Sequence, residues 1–422
     1  MANNFDSNFS RKLAKTFLDK FETKRVLSKN VNTQLLAGKF NPDTGENYDF
    51  KRPTDYSSVR TATGDVSGET ANSIITGKAT GTVQDYFTVF VDFDEADEAL
   101  KMDQLDQLLD PMATRIATDL ELDYGNFMLK NTALVAGTVG TSITAWDHIA
   151  EQGAVLQASG VPMDGGWCSA VNPFTQRSLA SDQRSLGGET GSMTANQRAT
   201  ITENFAGMKV LSCTTLGSYT TGVGADRAGT LSATPTGTYL AAKDSLQQSI
   251  AVTAFQANLV VAAGETITVT GRNRLNLSTR QPIIDENGAE ILYSGTVTES
   301  VTLNGSGAGT LIISGAGIFE TGGQYNTVDS ALTSGDVVTL GGAAATLIQP
   351  SLFWHKQAFA IGSVPMKKLY STDTIATTED GLQFRISKGT GFLENQQKVR
   401  IDFRPAYGVM NPFFAGQGFG RA

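Results

Sequence analysis

The sequence is poor in the residues around which enzymes and extracellular scaffolds are built. Its 422 residues include only two histidines and two cysteines. Cys168 and Cys213 cannot make a disulfide framework, so nothing marks the chain for an oxidising compartment. His148 and His355 belong to no H-x-x-x-H pair, and no C-x-x-C occurs, so no zinc site is expected and each histidine reads as structural. There is no G-x-S-x-G elbow. Gly77-Lys78-Ala79 lacks both the earlier glycine and the following Ser/Thr of a phosphate loop. Long apolar runs are missing as well. Nothing approaches a membrane span, and the opening MANNFDSNFSRKLAK has no apolar signal core, so use in a cytoplasm without export is expected. Asp92, Asp94, Glu95, Asp97 and Glu98 cluster, but without the calcium-loop glycine and spacing they read as the solvated start of a helix. No catalytic residue, cofactor or metal ligand is therefore expected, and the chain does not read as an enzyme.

Charge is unevenly spread over a net −9, a balance that argues against a dedicated DNA-binding protein. Residues 1–30 hold seven Lys/Arg against three acids, for +4, while 223–347 hold five basic and ten acidic residues, for −5. A cationic tip on an acidic body points to an acidic partner or another subunit; a solvated lysine-bearing helix is the competing reading.

The length allows two or three domains. The clearest helical pattern is 111–131, with Met112, Ile116, Leu120, Tyr124 and Phe127 on one stripe. Asp110 is expected to cap it, Pro111 to occupy its first position, and 102–109 to form a separate short helix. A further amphipathic helix is expected at 10–28, capped by Ser10. Others are expected at about 144–158, from the Thr144–Asp147 box, and at 173–186 after Asn172-Pro173. Residues 37–85 are rich in Gly, Thr and Ser, with strand-like pieces only at 48–51 and 57–61. They read as an arm with no core of its own, disordered or packed outside its own subunit. Strands are expected at 83–93, 167–171, 208–212, 352–362, 382–387 and 399–403, and a loop at 187–203. Within 223–347, short strands at 249–252, 266–270, 291–294, 297–303, 310–314 and 337–340, with two-residue turns at Asn287-Gly288 and Asn304-Gly305, suggest an antiparallel barrel or sandwich interrupting an α+β body.

The order of these parts resembles the major capsid (coat) proteins of short-tailed bacteriophages, which share the Hong Kong-97 fold. The segments that carry it are VNTQLLAG (31–38), FKRPTDYSSVRTATGDVSG (50–68), ITGKATGTV (75–83), LDPMATRIATDLE (109–121) and IDFRPAYGVMNPFFAGQGFG (401–420). The resemblance implies an α+β Hong Kong-97-type fold with an inserted antiparallel β-barrel-like domain. Its parts would be an N-terminal arm (1–43), an extended loop (44–82) lying over the neighbouring subunit, a peripheral domain with a spine helix (83–139, returning at 376–422), an axial domain (140–222 and 348–375) and the insert (223–347). It implies hexamers and pentamers of an icosahedral shell around double-stranded DNA, a scaffolding protein during assembly, a portal protein at one vertex, no membrane, and a virion assembled in host cytoplasm. It does not imply a cross-link at Lys78. The residues alone leave a second reading, a β-rich adhesin or carbohydrate-binding protein, motivated by 223–347.

Overall fold

The computed structural model describes residues 6–40, 45–94, 105–186, 198–199, 201–202, 204–370, 373–391 and 396–421. The expected loop at 187–203 lies almost wholly outside these residues, as do Glu95, Asp97 and Glu98 of the acidic cluster. The chain divides into two compact units, one of 1–49, 80–125 and 359–408, the other of 50–79, 126–358 and 409–422.

The first unit is built on an antiparallel sheet ordered Thr374–Thr377, Gln383–Gly391, Gln396–Phe403, Phe87–Asp94. Helix α1 (Asp6–Lys24) starts before Ser10 and stops short of the expected 28, because Arg25–Ser28 are recruited elsewhere. Its Phe17 and Phe21 are fully buried, edge-on to Phe384 at 5.3 and 4.7 Å, and Phe384 stacks on Phe403. Burying each ring stabilises the unit by about 2 kcal/mol. Past the helix the chain turns on a buried carboxylate. Glu121 accepts the N–H groups of Leu27 (2.6 Å) and Ser28 (3.0 Å) and the Ser28 hydroxyl.

Glu121 lies on helix α2 (Leu105–Lys130), which runs unbroken through Pro111. The expected separate helix at 102–109 and the cap at Asp110 are thus corrected, with 102–104 outside the described residues. Pro111 sits only two turns from the helix start. There its missing N–H and ring remove one early hydrogen bond, while Met112, Ile116, Leu120 and Tyr124 are buried along the stripe and hold the rod together.

The expected strand at 83–93 is two strands, Lys78–Val83 and Phe87–Asp94. Val83 pairs with Ala406 and Phe87 with Phe403, so three residues, 84–86, face two, Arg404 and Pro405. This one-residue excess is a bulge opposite a proline that has no N–H to give the ladder, and the chain changes sheets there. Lys78–Val83 joins a second sheet, ordered Asn47–Lys51, Lys78–Val83, Pro405–Val409, Phe359–Ser363. The apolar run 352–362 likewise hides a turn. It forms Ser351–His355 and Phe359–Ser363, with Ala358 N–H donating to the His355 carbonyl. Continuous hydrophobicity conceals such a break.

The second unit holds a six-stranded mixed sheet, ordered Leu134–Ala136, Ala415–Gly418, Ser351–His355, Trp167–Val171, Met208–Ser212, Asn204–Phe205. The two central strands are buried at every position, as strands covered on both faces must be. Helix α3 (Trp146–Ala158) begins two residues later than expected. His148 Nδ1 accepts the N–H groups of Thr144 (3.1 Å) and Ala145 (3.4 Å), and Asp182 accepts that of Trp146. Helix α4 (Pro173–Leu186) starts as expected, with Asn172 accepting the Phe174 N–H.

The same unit contains a closed antiparallel barrel of Gln247–Thr253, Gly309–Ser314, Leu292–Val297, Thr266–Asn273, Val337–Leu340 and Ala228–Leu231. Its core includes Ile250, Ile267, Val269, Tyr293, Leu311, Ile313 and Val338. The run 297–303 splits, Val301–Thr302 leaving the barrel to pair with Val260–Val261. Both Asn-Gly turns lie where expected but are three-residue loops. Asp285 pairs with Ala289 and Asn304 with Ala308, and only the last loop glycine, Gly288 or Gly307, has positive φ. In each loop the leading side chain accepts two N–H groups, from Asn287 and Ala289 or from Ser306 and Ala308. That additional capping favours the longer loop.

Buried polar contacts tie barrel to sheet. Arg274 donates to the carbonyls of Ala133 (2.9 Å) and Ser294, with the rings of Tyr293 and Phe413 within 6 Å. Burial pulls its pKa down to about 10, so it stays charged at neutral pH. Gln417 donates to the Gly264 carbonyl at 2.8 Å, and the Thr132 and Thr296 hydroxyls meet at 3.0 Å.

Replacing Glu121 by Ala would strand two buried N–H groups and a hydroxyl. The urea midpoint of the unassembled chain is expected to fall by an amount equivalent to about 3 kcal/mol, with Glu121→Asp losing less.

Candidate subunit-contact surface

The loop between Asn47–Lys51 and Lys78–Val83 is the least self-sufficient part of the chain. Its root is a ladder, with Val83 N–H donating to the Glu46 carbonyl and Arg52 N–H to the Gly77 carbonyl. Beyond that rung no strand forms, and the expected strand piece at 57–61 is irregular. The reason is local: Asn72 captures the Ser57 N–H (3.0 Å) and hydroxyl and donates to the Ser57 carbonyl, which removes those groups from any ladder. Nearly every residue from 57 to 72 is exposed, and Tyr56, Val59, Val66 and Ile74 present apolar surface.

The root is anchored firmly. The Arg52 guanidinium donates to the carbonyls of Lys78 (3.2 Å), Asp244 (3.3 Å) and Val409 (3.4 Å). Burial draws its pKa down to about 10, with Tyr239 and Asp244 pulling the other way. Lys78 N–H donates to Asp244. Gly77 lies against the Lys243 carbonyl so closely that a Cβ would collide with backbone. The expectation that the arm packs only outside its own subunit is therefore corrected at its base, where it rests on the barrel-side segment 239–244 of the same chain.

A second exposed surface lies on the Phe87–Asp94 sheet. Phe90 is 68% exposed, opposite Arg400. Around it Lys398 stands 3.8 Å from Asp92, and Asp402 accepts from Arg400 (2.6 Å), Arg385 (2.5 Å) and Thr88 (2.7 Å). Burial pushes the Asp402 carboxyl up, but these hydrogen bonds outweigh it and leave its pKa below the ordinary value. An apolar centre with an ion-paired rim has the composition of a protein-contact patch.

The candidate chemical residues are placed apart. His355 is buried, its Nδ1 accepting from Gln357 N–H, so Nε2 carries the proton and donates to Asp164 at 2.8 Å. The Cys168 thiol is pushed up to about 11 by burial, with Lys209 and Lys356 opposing, which leaves it inert at neutral pH. Among the described residues no group of three His, Cys, Asp or Glu converges as a metal site. Arg52, Arg280 and Gln324 were not singled out by the sequence. For Arg280 the available signal was that cations are scarce in 223–347.

Exposed apolar side chains on a loop without a core of its own, and an exposed Phe90 with an ion-paired rim, are features of a subunit that binds other chains. The profile of the P22 coat protein family (P22 coat protein, gene protein 5) matches residues 1–420. The major capsid protein of Acyrthosiphon pisum secondary endosymbiont phage 1 is 36% identical over 424 residues, covering 100% of both chains. Among solved structures, one from Mycobacterium phage Che8 aligns over 93% of this chain and 90% of its own, at 12% identity and TM-score 0.45. The capsid of cyanophage P-SCSP1u aligns over 93% and 88%, at 10% identity and TM-score 0.42. The sequence is that of a phage major capsid protein. The chain belongs to the P22 coat protein family. The adhesin reading falls with that assignment.

Gly77→Ala forces the loop root off the 243 carbonyl and is expected to cost about 1–3 kcal/mol in chemical denaturation of the unassembled chain. Asp402 stabilises the native state above the unfolded carboxylate pKa, roughly 4, and that contribution is lost as pH falls through its depressed native value. In acid titration, Asp402→Asn should be less stable than the parent at pH 7, and the gap should close below about pH 4.

Proposed function

We propose that the chain forms hexamers and pentamers of an icosahedral shell enclosing double-stranded DNA, and that residues 53–76 clamp a neighbouring copy. The observation that carries this reading is the loop itself: its root is fixed, while 57–72 lie exposed with apolar side chains outward. A segment this long orders at a cost of about 1–2 kcal/mol per residue, which contacts with another copy would offset. The Phe90 surface is the kind of patch such a loop would cover. The peripheral, axial and inserted domains take the boundaries given by the resemblance. Lysines on α1 suit a scaffolding protein with acidic groups, and a portal would occupy one vertex. Assembly takes place in the host cytoplasm, the DNA is held without sequence preference by an acidic subunit of net −9, and the role is structural rather than catalytic.

The test is to express the full chain with and without its scaffolding partner, sediment it and image it. Uniform closed particles are expected. A chain that stays monomeric under both conditions contradicts the proposal. Replacing 53–76 by a two-residue turn should leave a folded monomer and reduce closed particles at least tenfold.

A further inference from the structure

The two legs of the loop are joined by one side chain from the barrel region. Gln324 Nε2 donates to the Asp55 carbonyl at 2.8 Å and to the Ser73 carbonyl at 2.7 Å, one N–H to each leg. Beside it, Arg280 pairs with the Asp55 carboxylate through Nη2, and its Nη1 donates to the Asn326 carbonyl at 2.8 Å. The Tyr325 hydroxyl donates to the Ile75 carbonyl, and its ring lies flat on Tyr239 at 3.7 Å. Ile75 packs on the cluster that contains both rings. The contacts with the loop thus come from Arg280, Gln324 and Tyr325, and Asn326 holds Arg280 from behind.

The backbone at Arg280 is also unusual. Its φ is +55°, in the left-handed region where glycine is the unstrained choice. A long cation held there adds strain, which its fixed ion pair with the loop helps to offset. Gln324 supplies what few residues can, two donors on one atom spaced to reach both legs.

We propose that Arg280 and Gln324–Asn326 form a latch that sets the direction of the extended loop in the free subunit, before it meets a neighbour. Arg280 and Gln324 are its positioning residues. The proposal rests on the reading that 53–76 clamps a second copy. A loop already aimed loses less freedom on docking, so assembly is faster and curvature more uniform. The latch holds only 55 and 73–75, and the tip beyond Ser57 and Asn72 stays free to fit its partner. Its ion pair is partly exposed, so added salt loosens it.

The test uses spin labels at Val66→Cys on the tip and Glu299→Cys in the bend after barrel strand Leu292–Val297, in the unassembled full chain. The native cysteines are both buried and do not compete for label. The parent should give one narrow distance distribution. Gln324→Ala and Asp55→Arg should each broaden it at least twofold and slow shell assembly about tenfold. Asp55→Arg with Arg280→Asp should restore both, since aspartate tolerates the left-handed backbone better than most residues. Single variants as narrow as the parent, or a double reversal that stays broad, would overturn the latch. Broadening with unchanged assembly would overturn its role in assembly. Closed shells from the 53–76 replacement would instead defeat the clamp reading, a separate result from the same instrument set.

Discussion

Two dozen residues, 53–76, must hold a direction without a core, a sheet or a helix of their own. What they have is a ladder at the root and a few side chains that reach them from elsewhere in the chain. Arg52, Gly77 and Lys78 fix the root against 243–244, and Gln324 and Arg280 fix the legs. Ordering a segment of this length costs tens of kcal/mol if none of its residues packs. A few hydrogen bonds at about 1 kcal/mol each cannot balance that. The structure therefore confines the loop at its base and leaves most of 57–72 exposed.

The barrel region from which Gln324 and Arg280 reach the loop is itself tied to the mixed sheet by buried polar contacts. Arg274 is a buried cation whose described hydrogen-bond partners are two carbonyls and a hydroxyl, with two aromatic faces near it. A guanidinium suits such a place because its charge is spread and its donors are fixed in a plane. Gln417 and Thr132 add contacts that only one docking geometry satisfies. In the first unit, the Glu121 carboxylate plays the corresponding part, fixing the turn after α1 to α2. Buried polar groups of this kind contribute more to uniqueness than to net stability.

Much of this architecture was legible beforehand because it rests on short-range signals. The α2 stripe, the Asn172-Pro173 start of α4 and most barrel strands follow from periodicity and turn chemistry. The misses have a common cause in partners that sequence does not display. The break between 83 and 87 depends on Arg404 and Pro405 across the ladder, and the turn inside 352–362 is masked by uninterrupted hydrophobicity. The Asn-Gly turns lengthened by a residue because Asp285, two positions before Asn287-Gly288, caps one loop, and Asn304 caps the other from its flank instead of sitting inside it. Pro111 reads as a helix start by local rules, and the buried stripe that follows it, from Met112 to Tyr124, overrides them. The contact residues were the least visible. Arg280 and Gln324 lie more than 200 positions from the loop legs they hold. No pattern local to either stretch announces the other.

The measurement that bears most directly on this account is a near-atomic density map of the assembled shell. It should show residues 57–72 packed on a neighbouring copy, with Tyr56, Val59 or Val66 buried at that contact and Gln324 still bridging Asp55 and Ser73. A closed shell in which 57–72 face solvent and touch no neighbour would contradict it.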